Sequence, residues 1–335
     1  MTLNNAEVRF EVVDVEGGQI SVAIPHTPNR CWLTSLCTSI GPMARQEIDR
    51  EMQMPIILGA KMLSAVFEGL GRLFRIDDVV FPEHRLLTTS LYRRNQLPGL
   101  VTSREKLAAR YPDKAIVIRS LNARDHADYI DKTCWPFRMV WIVDDVAQEW
   151  MPRRDAIRDF KLQAQLNLKT ITYGNTIPDG TLADCIDLYH GLYLGAYSVF
   201  NPDYDISYLK LLLNDGALEI LTLEDDSGHI EAFCALHICE DTLSIPLLGY
   251  NQKRPRADGL YRAIMALAAR AADLRGLRMN LSAGASRFKR HRGAKPCMEY
   301  LLIMDRHLPF WRRWGYTMIG MVLRQMAPVL ERTVS

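Results

Sequence analysis

From Val8 to Pro25 apolar and polar residues alternate around Gly17-Gly18, the period of two that belongs to strands with one buried face, so a two-stranded hairpin is expected there. Between Ile40 and Phe74 the repeat lengthens: Ile57, Met62, Ala65, Val66, Leu70 and Leu73 fit one face of a helix. After the turn sequence Tyr111-Pro112-Asp113, Ala115 to Arg119 reads as a short strand, Asn122 or Asp125 as the cap of a helix reaching about Asp131, and Phe137 to Val143 as a second strand. Met151 to Leu168 then sets Arg153, Arg154, Arg158 and Lys161 around Ile157, Phe160, Ala164 and Leu168, a basic amphipathic helix that serves as a solvated connector or as a surface for an anionic partner. A domain junction is expected here, dividing the chain into residues 1–155 and 156–335.

The second half is more regular. Asp179-Gly180 opens a helix through Leu182, Ile186, Leu188, Leu192 and Tyr197, and Asp205 to Leu213 forms another. Leu218 to Leu223, Ile230 to Ile238 and Leu243 to Tyr250 are three strands joined by Asp225-Asp226-Ser227-Gly228 and Cys239-Glu240-Asp241, an antiparallel meander. A loop from Asn251 to Ala257, a helix from Gly259 to about Arg275 stopped by Gly276, a strand Arg278 to Ser282 and a last strand Glu299 to Met304 follow. Leu308 to Leu330 interleaves Phe310, Trp311, Trp314, Met318 and Met321 with Arg312, Arg313 and Arg324; it is either a closing helix of the second domain or a basic amphipathic helix for a lipid surface or acyl chain.

Composition narrows the class. At 335 residues, with 48% hydrophobic and 24% charged, the chain has material for about two domains. A net charge of +2 excludes a polyelectrolyte, and seven scattered cysteines without a Cys-x-x-Cys pair argue against a disulfide framework or a zinc knuckle. Glu7 and Arg9 stand where an export leader would need its apolar run, and Pro55 to Leu70 is broken by Lys61 and Glu68. A cytoplasmic protein without a membrane span is expected. Gly-x-Ser-x-Gly, His-Glu-x-x-His, a Walker loop and a full Gly-x-Gly-x-x-Gly are all missing, which leaves hydrolase, zinc protease, nucleotide triphosphatase and dehydrogenase readings without their parts.

The stretch 243–276 holds the chemistry. Pro246 interrupts an otherwise regular strand and marks an edge or bulge where backbone groups come free. Asp258 stands at the expected N-cap of a helix whose unpaired N–H groups can hold an anion, with Gln252, Lys253, Arg254 and Arg256 just before it. A strand opening beside an anion-binding helix start suits an amide-bearing arm that ends in a diphosphate. The competing reading is an ordinary turn glycine at Gly259 in a solvated basic loop.

The order of helices, meander, interrupted strand, basic loop, glycine-started helix and following strand resembles the GNAT superfamily of acyltransferases. Phe288-Lys289-Arg290-His291-Arg292-Gly293 looks like the Phe-Lys-x-x-x-Gly signature of its FemAB-like branch, whose members often carry two GNAT-like halves. The resemblance covers Lys169 to Met304 directly and Met1 to Gln165 as a degenerate first copy. It implies an α/β (α+β) fold, a GNAT-like mixed sheet flanked by helices in two tandem halves, with the first half at 1–155 and the catalytic half, closed by a helix at 308–330, at 156–335. It also implies an N-acyltransferase taking an acyl group from acyl-CoA, or another phosphopantetheine thioester such as an acyl carrier protein, to a primary amine, with no metal. FemAB-like relatives that use aminoacyl-tRNA give one alternative, and a decayed CoA-binding module another. The loop from Gln252 to Gly259 is longer than the family's phosphate loop and carries one glycine.

Under that resemblance the donor lies along Leu247, Leu248 and Gly249, whose N–H groups are the expected oxyanion donors, and along Asn251, Gln252, Arg254, Arg256, Gly259, Leu260 and Tyr261. His237 or Glu231 is the candidate base, Tyr250 or Tyr261 the candidate acid, and Lys289 the residue aligned with the family's lysine. His237, flanked by apolar neighbours, reads equally as a core histidine. Ser282, Ser286, Phe288 and Arg292 surround Lys289 as acceptor-binding candidates. Residues 287–335 carry ten Lys and Arg against three Asp and Glu, +7, so the rest of the chain is −5. That basic segment suits CoA phosphates, an acidic carrier protein or tRNA, or is plain solvated surface.

Overall fold

The computed structural model describes residues 2–15, 18–51 and 56–334. Gly17 and Pro55, and the side chains of Ile57 and Leu330, lie outside that description. The chain forms two compact units: unit 1 is Met1–Arg138, Ser198–Asp203 and Met298–Thr333, and unit 2 is Met139–Tyr197, Tyr204–Cys297 and Val334–Ser335.

Unit 1 starts with the expected hairpin. β1 (Val8–Val15) pairs antiparallel with β2 (Gly18–Pro25) from Val8 opposite Pro25 to Val15 opposite Gly18. A single turn, α1 (Leu36–Thr38), is capped by Ser35, whose Oγ accepts from the Thr38 N–H at 2.9 Å. The chain then bends at Gly41 before Pro42 into α2 (Ala44–Glu51) and α3 (Ile56–Leu73). β3 (Val79–Pro82) runs antiparallel to β2 and parallel to β4 (Ala115–Asn122), and α4 (Gln96–Thr102) and α5 (Arg104–Arg110) connect them. Both faces of β4 are buried, as a central strand requires. Asn122 ends β4 rather than capping a long helix; only a turn of 3₁₀ helix at Ala127–Tyr129 follows, because the Asn122 side chain is spent on Asp125 and on the N–H groups of Arg124 and Asp125.

β5 (Cys134–Val143) begins in unit 1 and continues into unit 2. There, α6 (Arg154–Gln165) covers the middle of the expected basic helix and β6 (Lys169–Tyr173) follows it. α7 (Asp179–Tyr189) passes into a π-helical segment, His190–Tyr197, and α8 (Ile206–Asn214) leads to the meander β7 (Glu219–Glu224), β8 (Ile230–Cys239), β9 (Thr242–Tyr250). After α9 (Leu260–Leu274) come a three-residue β10 (Arg278–Asn280), α10 (Ser286–His291) and β11 (Lys295–Met304). The strand order in unit 2 is β5-β10-β9-β8-β7-β6, with β10 parallel to β9 and antiparallel to β5. α9 lays Leu260, Ala263, Ile264, Leu267 and Ala268 onto a core shared with Leu223, Cys234, Leu236 and Leu248. Burying its leucine and isoleucine side chains contributes roughly 1.5–3 kcal/mol each, which holds this alanine-rich helix in place.

The end of the chain returns to unit 1, whose strand order is β1-β2-β3-β4-β11. The closing helix, α11 (Phe310–Val334), belongs to unit 1 rather than to the second sequence half. Its carbonyl at Tyr316 accepts from Trp135 Nε1 at 3.1 Å, and the Tyr316 hydroxyl and buried Arg312 donate to the carbonyls of Ile76, Arg75 and Asp113. Those long-range bonds are invisible to a reading of local pattern, and they put α11 with elements about 180 to 240 residues earlier. Both units are mixed α/β, the class expected.

Candidate active site

β9 carries the irregularity that Pro246 signals. Opposite β8 the register steps from Ala235–Leu247 to His237–Ser244, so β9 holds one extra residue in a bulge at Ile245-Pro246. On its other side the parallel ladder with β10 runs only from Arg278–Thr242 to Asn280–Ser244. β10 then turns away, its successor residues Leu281 and Ser282 exchanging backbone bonds with Trp141 at 2.8 and 3.1 Å, while β9 continues to Tyr250 paired with β8 alone. The two strands therefore splay beyond Ser244. From Ile245 on, alternate N–H and C=O groups of β9 face away from β8 without a strand to meet them. Leu247 and Leu248 are buried, and Gly249 lies against the backbone of Leu188 and Tyr189.

The basic loop is held in one shape by its own charges. Arg254 donates from Nε to Asp258 Oδ2 at 2.8 Å and from Nη1 to Glu231 Oε1 at 3.3 Å, and Asn251 Nδ2 donates to Glu231 Oε2 at 2.9 Å. Glu231 and Arg254, a candidate base and a candidate phosphate ligand, thus neutralise each other. Gln252, Lys253 and Arg256 are the exposed members. The N-cap of α9 is Gly259 rather than Asp258: φ is +63°, the left-handed region, and an added Cβ would sit 2.5 Å from Leu162 Cδ2 of α6. Part of the helix start is covered by α6.

Lys289 is buried. Its Nζ donates to the carbonyls of Leu281 at 2.7 Å, Ser282 at 3.2 Å and Ala283 at 2.7 Å, gathering the loop that follows β10. Ser282, Gly284 and Ala285 all have positive φ, so the ammonium stabilises a bend that two L-residues adopt at a cost. The signature glycine has its own reason: Gly293 has φ +89°, and a Cβ there would lie 2.1 Å from the Glu149 carbonyl oxygen. Arg292, a candidate acceptor ligand, is buried and donates from Nε to Asp159 Oδ2 at 2.5 Å and from Nη1 to the Phe288 carbonyl at 2.8 Å. Asp159 accepts at its other oxygen from Arg262 Nε at 2.6 Å. One buried carboxylate therefore ties α6, α9 and α10 together. Asp159 escaped the sequence reading; an Asp amid the basic residues of an amphipathic helix is the signal that could have found it.

Aromatic side chains collect next to this loop. The Tyr261 ring is 4.8 Å from Phe288 and 6.3 Å from Tyr250, Phe288 is 6.2 Å from Trp150, and Tyr193 stacks on Tyr189 at 4.9 Å. Burial, then the neighbouring phenols, pushes Tyr193, Tyr250 and Tyr261 above the ordinary tyrosine range, so each stays a protonated hydroxyl at neutral pH. Tyr250 lies opposite Ala232, whereas His237 sits at an odd position of β8 and faces the other side of the sheet; Glu231 is the extra residue where the β7–β8 register slips. His237 Nδ1 is 2.7 Å from the Ala217 carbonyl. Tyr250 and His237, a candidate acid and a candidate base, are therefore on opposite faces. Ser282, Ser286 and Phe288 are half-buried on the Lys289 side, and Leu260 sits in the core with only its backbone to offer. Among the described residues no cluster of three His, Cys, Asp or Glu could hold a metal, and no helix is long and apolar enough to cross a membrane. The described cysteines are all free thiols.

A splayed strand pair, a glycine-started helix and a cluster of tyrosines thus lie together in unit 2. By sequence the chain matches no protein-family model and no curated protein. Among solved structures it is similar to L-PGS from Bacillus licheniformis, with 16% identity, 72% of this chain and 82% of that chain covered, and a TM-score of 0.50. It is similar to the C-terminal domain of a putative lysylphosphatidylglycerol synthetase from Agrobacterium fabrum, with 14% identity, 73% and 81% coverage and a TM-score of 0.50. FemX matches over 91% of this chain and 90% of its own, with 10% identity and a TM-score of 0.50. At these identities the shared property is the fold.

Proposed function

We propose that the chain is an N-acyltransferase whose reacting groups meet at the splay beside Pro246. The observation that carries this reading is the end of the β9–β10 ladder at Ser244–Asn280, which frees one edge of β9 next to Tyr250, Tyr261 and the Lys289 loop. An acyl thioester laid along that edge would hydrogen-bond through its amides, as a missing strand does. The amine nitrogen attacks the acyl carbon, the new C–N bond forms, and the C–S bond breaks. The oxyanion is met by an outward N–H of Leu247 to Gly249, the leaving thiolate takes the proton of the Tyr250 hydroxyl, and the ammonium proton passes to solvent, which returns one to Tyr250.

The donor's phosphates would be met by exposed Lys253 and Arg256 and the first N–H groups of α9, since Arg254 is already bound to two carboxylates. Glu231, His237, Arg292 and Lys289 act in this reading as positioning residues, through Arg254, Ala217, Asp159 and the loop carbonyls respectively. Acetyl-CoA with a panel of primary amines, followed by thiol release, tests the proposal. Tyr250→Phe is expected to lower kcat by about 10²-fold with the donor KM little changed; wild-type turnover in that variant removes Tyr250 as the acid.

An aminoacyl-tRNA donor is the second reading, favoured by the FemX match over nine-tenths of the chain and by the Phe288-Lys289 signature. Transfer from charged tRNA that ribonuclease abolishes, with no thiol release from CoA esters, would replace the first reading with this one.

A further inference from the structure

Unit 1 holds a second polar centre, unconnected with the transferase reading. Arg119, on the buried strand β4, is 2% exposed, and its guanidinium carbon lies 5.4 Å from the Trp32 ring centroid, 5.6 Å from Phe81 and 5.1 Å from Phe137. Arg138 shares the Trp32 ring at 5.1 Å and is paired with buried Glu299, Nε to Oε1 at 2.8 Å and Nη2 to Oε2 at 3.2 Å. Among the described residues Arg119 has no such carboxylate, and its buried Nη1 meets no acceptor. Beside it, buried His84 uses Nδ1 on Ser90 Oγ at 3.0 Å, and its ring also has the Leu33 backbone as a partner. Burial and then the two arginines hold His84 well below its ordinary pKa, so it is neutral. Two guanidinium charges against one carboxylate leave a single positive charge in excess. Three aromatic faces offset part of the cost of burying it, but they satisfy no N–H donor.

The surroundings specify the missing partner. One excess charge calls for a monoanion, and a fork of N–H donors between flat rings fits a planar carboxylate better than a tetrahedral dianion. Thr88, Phe137 and Arg138, at the edge of the cage, are half-buried, whereas Cys134, Trp135 and Pro136 are buried. Tyr92 donates its hydroxyl to the Arg119 carbonyl at 2.8 Å, and Ser120 next to it has φ +60°, which fixes the direction of the arginine along β4. Cys31 nearby is no nucleophile: burial pushes its thiol up to about 12. The centre therefore binds without reacting.

We propose that the Arg119–Trp32–Phe137 cage is a binding site for the carboxylate of a small monoanionic ligand with a flat apolar body, held by Arg119 Nη1. Benzoate, acetate and inorganic phosphate are the probes. In the full-length wild-type protein labelled with [15N]arginine, three ring currents set the Arg119 side-chain resonance apart, and benzoate should move it saturably at millimolar concentration, with acetate weaker and phosphate without effect. Arg119→Met should weaken benzoate binding by about 10- to 100-fold, the loss expected for a charged hydrogen-bond pair, while the unliganded protein keeps or gains thermal stability because an unpaired buried cation has been replaced by an apolar side chain. Lys253→Glu, in the other unit, should leave benzoate binding unchanged, and a transferase that fails every assay above would leave this result untouched. An Arg119 resonance that stays fixed up to roughly 50 mM benzoate, where even a 1 mM site worth about 4 kcal/mol would be filled, overturns the proposal, as does a larger response to phosphate than to benzoate. The wild-type spectrum decides the matter even if Arg119→Met does not fold.

Discussion

Replacing Lys289 by Met keeps the length and apolar volume of the side chain and removes only the ammonium. In the native protein that ammonium holds three carbonyls at 2.7, 3.2 and 2.7 Å, each a charge-assisted bond worth about 1.5–3 kcal/mol net. Against this stands the desolvation of a buried cation, several kcal/mol, which the variant no longer incurs. Ser282 and Ala283 are half-buried, so water can reach their carbonyls once the ammonium is gone, but Leu281 is buried and its acceptor stays unsatisfied. The bend itself, with positive φ at Ser282 and Ala285, also loses its tie. The balance is a loss of about 3–4 kcal/mol, which for a unit of this size lowers Tm by roughly 6–16 °C. Calorimetric unfolding of wild type, Lys289→Met and Lys289→Arg measures it, with Arg expected to recover part of the loss. A Tm for Lys289→Met within about 1 °C of wild type, together with lost turnover, would refute the clamp and make the ammonium a group that works on substrate.

Asp159→Asn should cost about 3–5 kcal/mol by leaving buried Arg292 without its anion, read as a lower urea midpoint at unchanged m. Gly293→Ala should be at least as damaging, because the new Cβ would overlap the Glu149 carbonyl in a left-handed conformation; a neutral result would mean the turn can shift. Reversing charge at Lys253 and Arg256 together is expected to raise the donor KM about tenfold or more, whereas Arg254→Ala should instead loosen the loop and lower stability. Alkaline pH gives a signed test. Burial raises the Cys31, Cys37, Cys185 and Cys234 thiols and the Tyr193 and Tyr261 phenols in the folded state, so their contribution is whole below the unfolded thiol value near 8.5 and is lost as pH rises above it. Tm should fall steeply above about pH 9 and level off only past the phenol range; a flat profile to pH 11 would contradict it.

Periodicity alone placed the β1–β2 hairpin, the meander β7 to β9 and helix α9, because in each the burial that decides the fold falls on residues close in the chain. The bulge was legible too: a proline inside a strand has no donor for its ladder, and Pro246 sits where the register slips. The glycine that ends the Phe288 to Gly293 stretch needs a backbone conformation that sequence can announce. What local pattern could not reveal is who completes each charge. Arg254 reads as a phosphate ligand until Glu231, 23 residues earlier, is found beside it, and Arg292 as an acceptor contact until Asp159, 133 residues earlier, takes its Nε. Lys289 reads as a catalytic cation until three carbonyls surround it. The placement of α11 in unit 1, the two faces of β8, and the uncompensated charge of Arg119 were likewise decided by contacts between distant segments. Alternation and helical spacing record which side of an element meets apolar surroundings, and carry no record of which distant polar group will stand opposite.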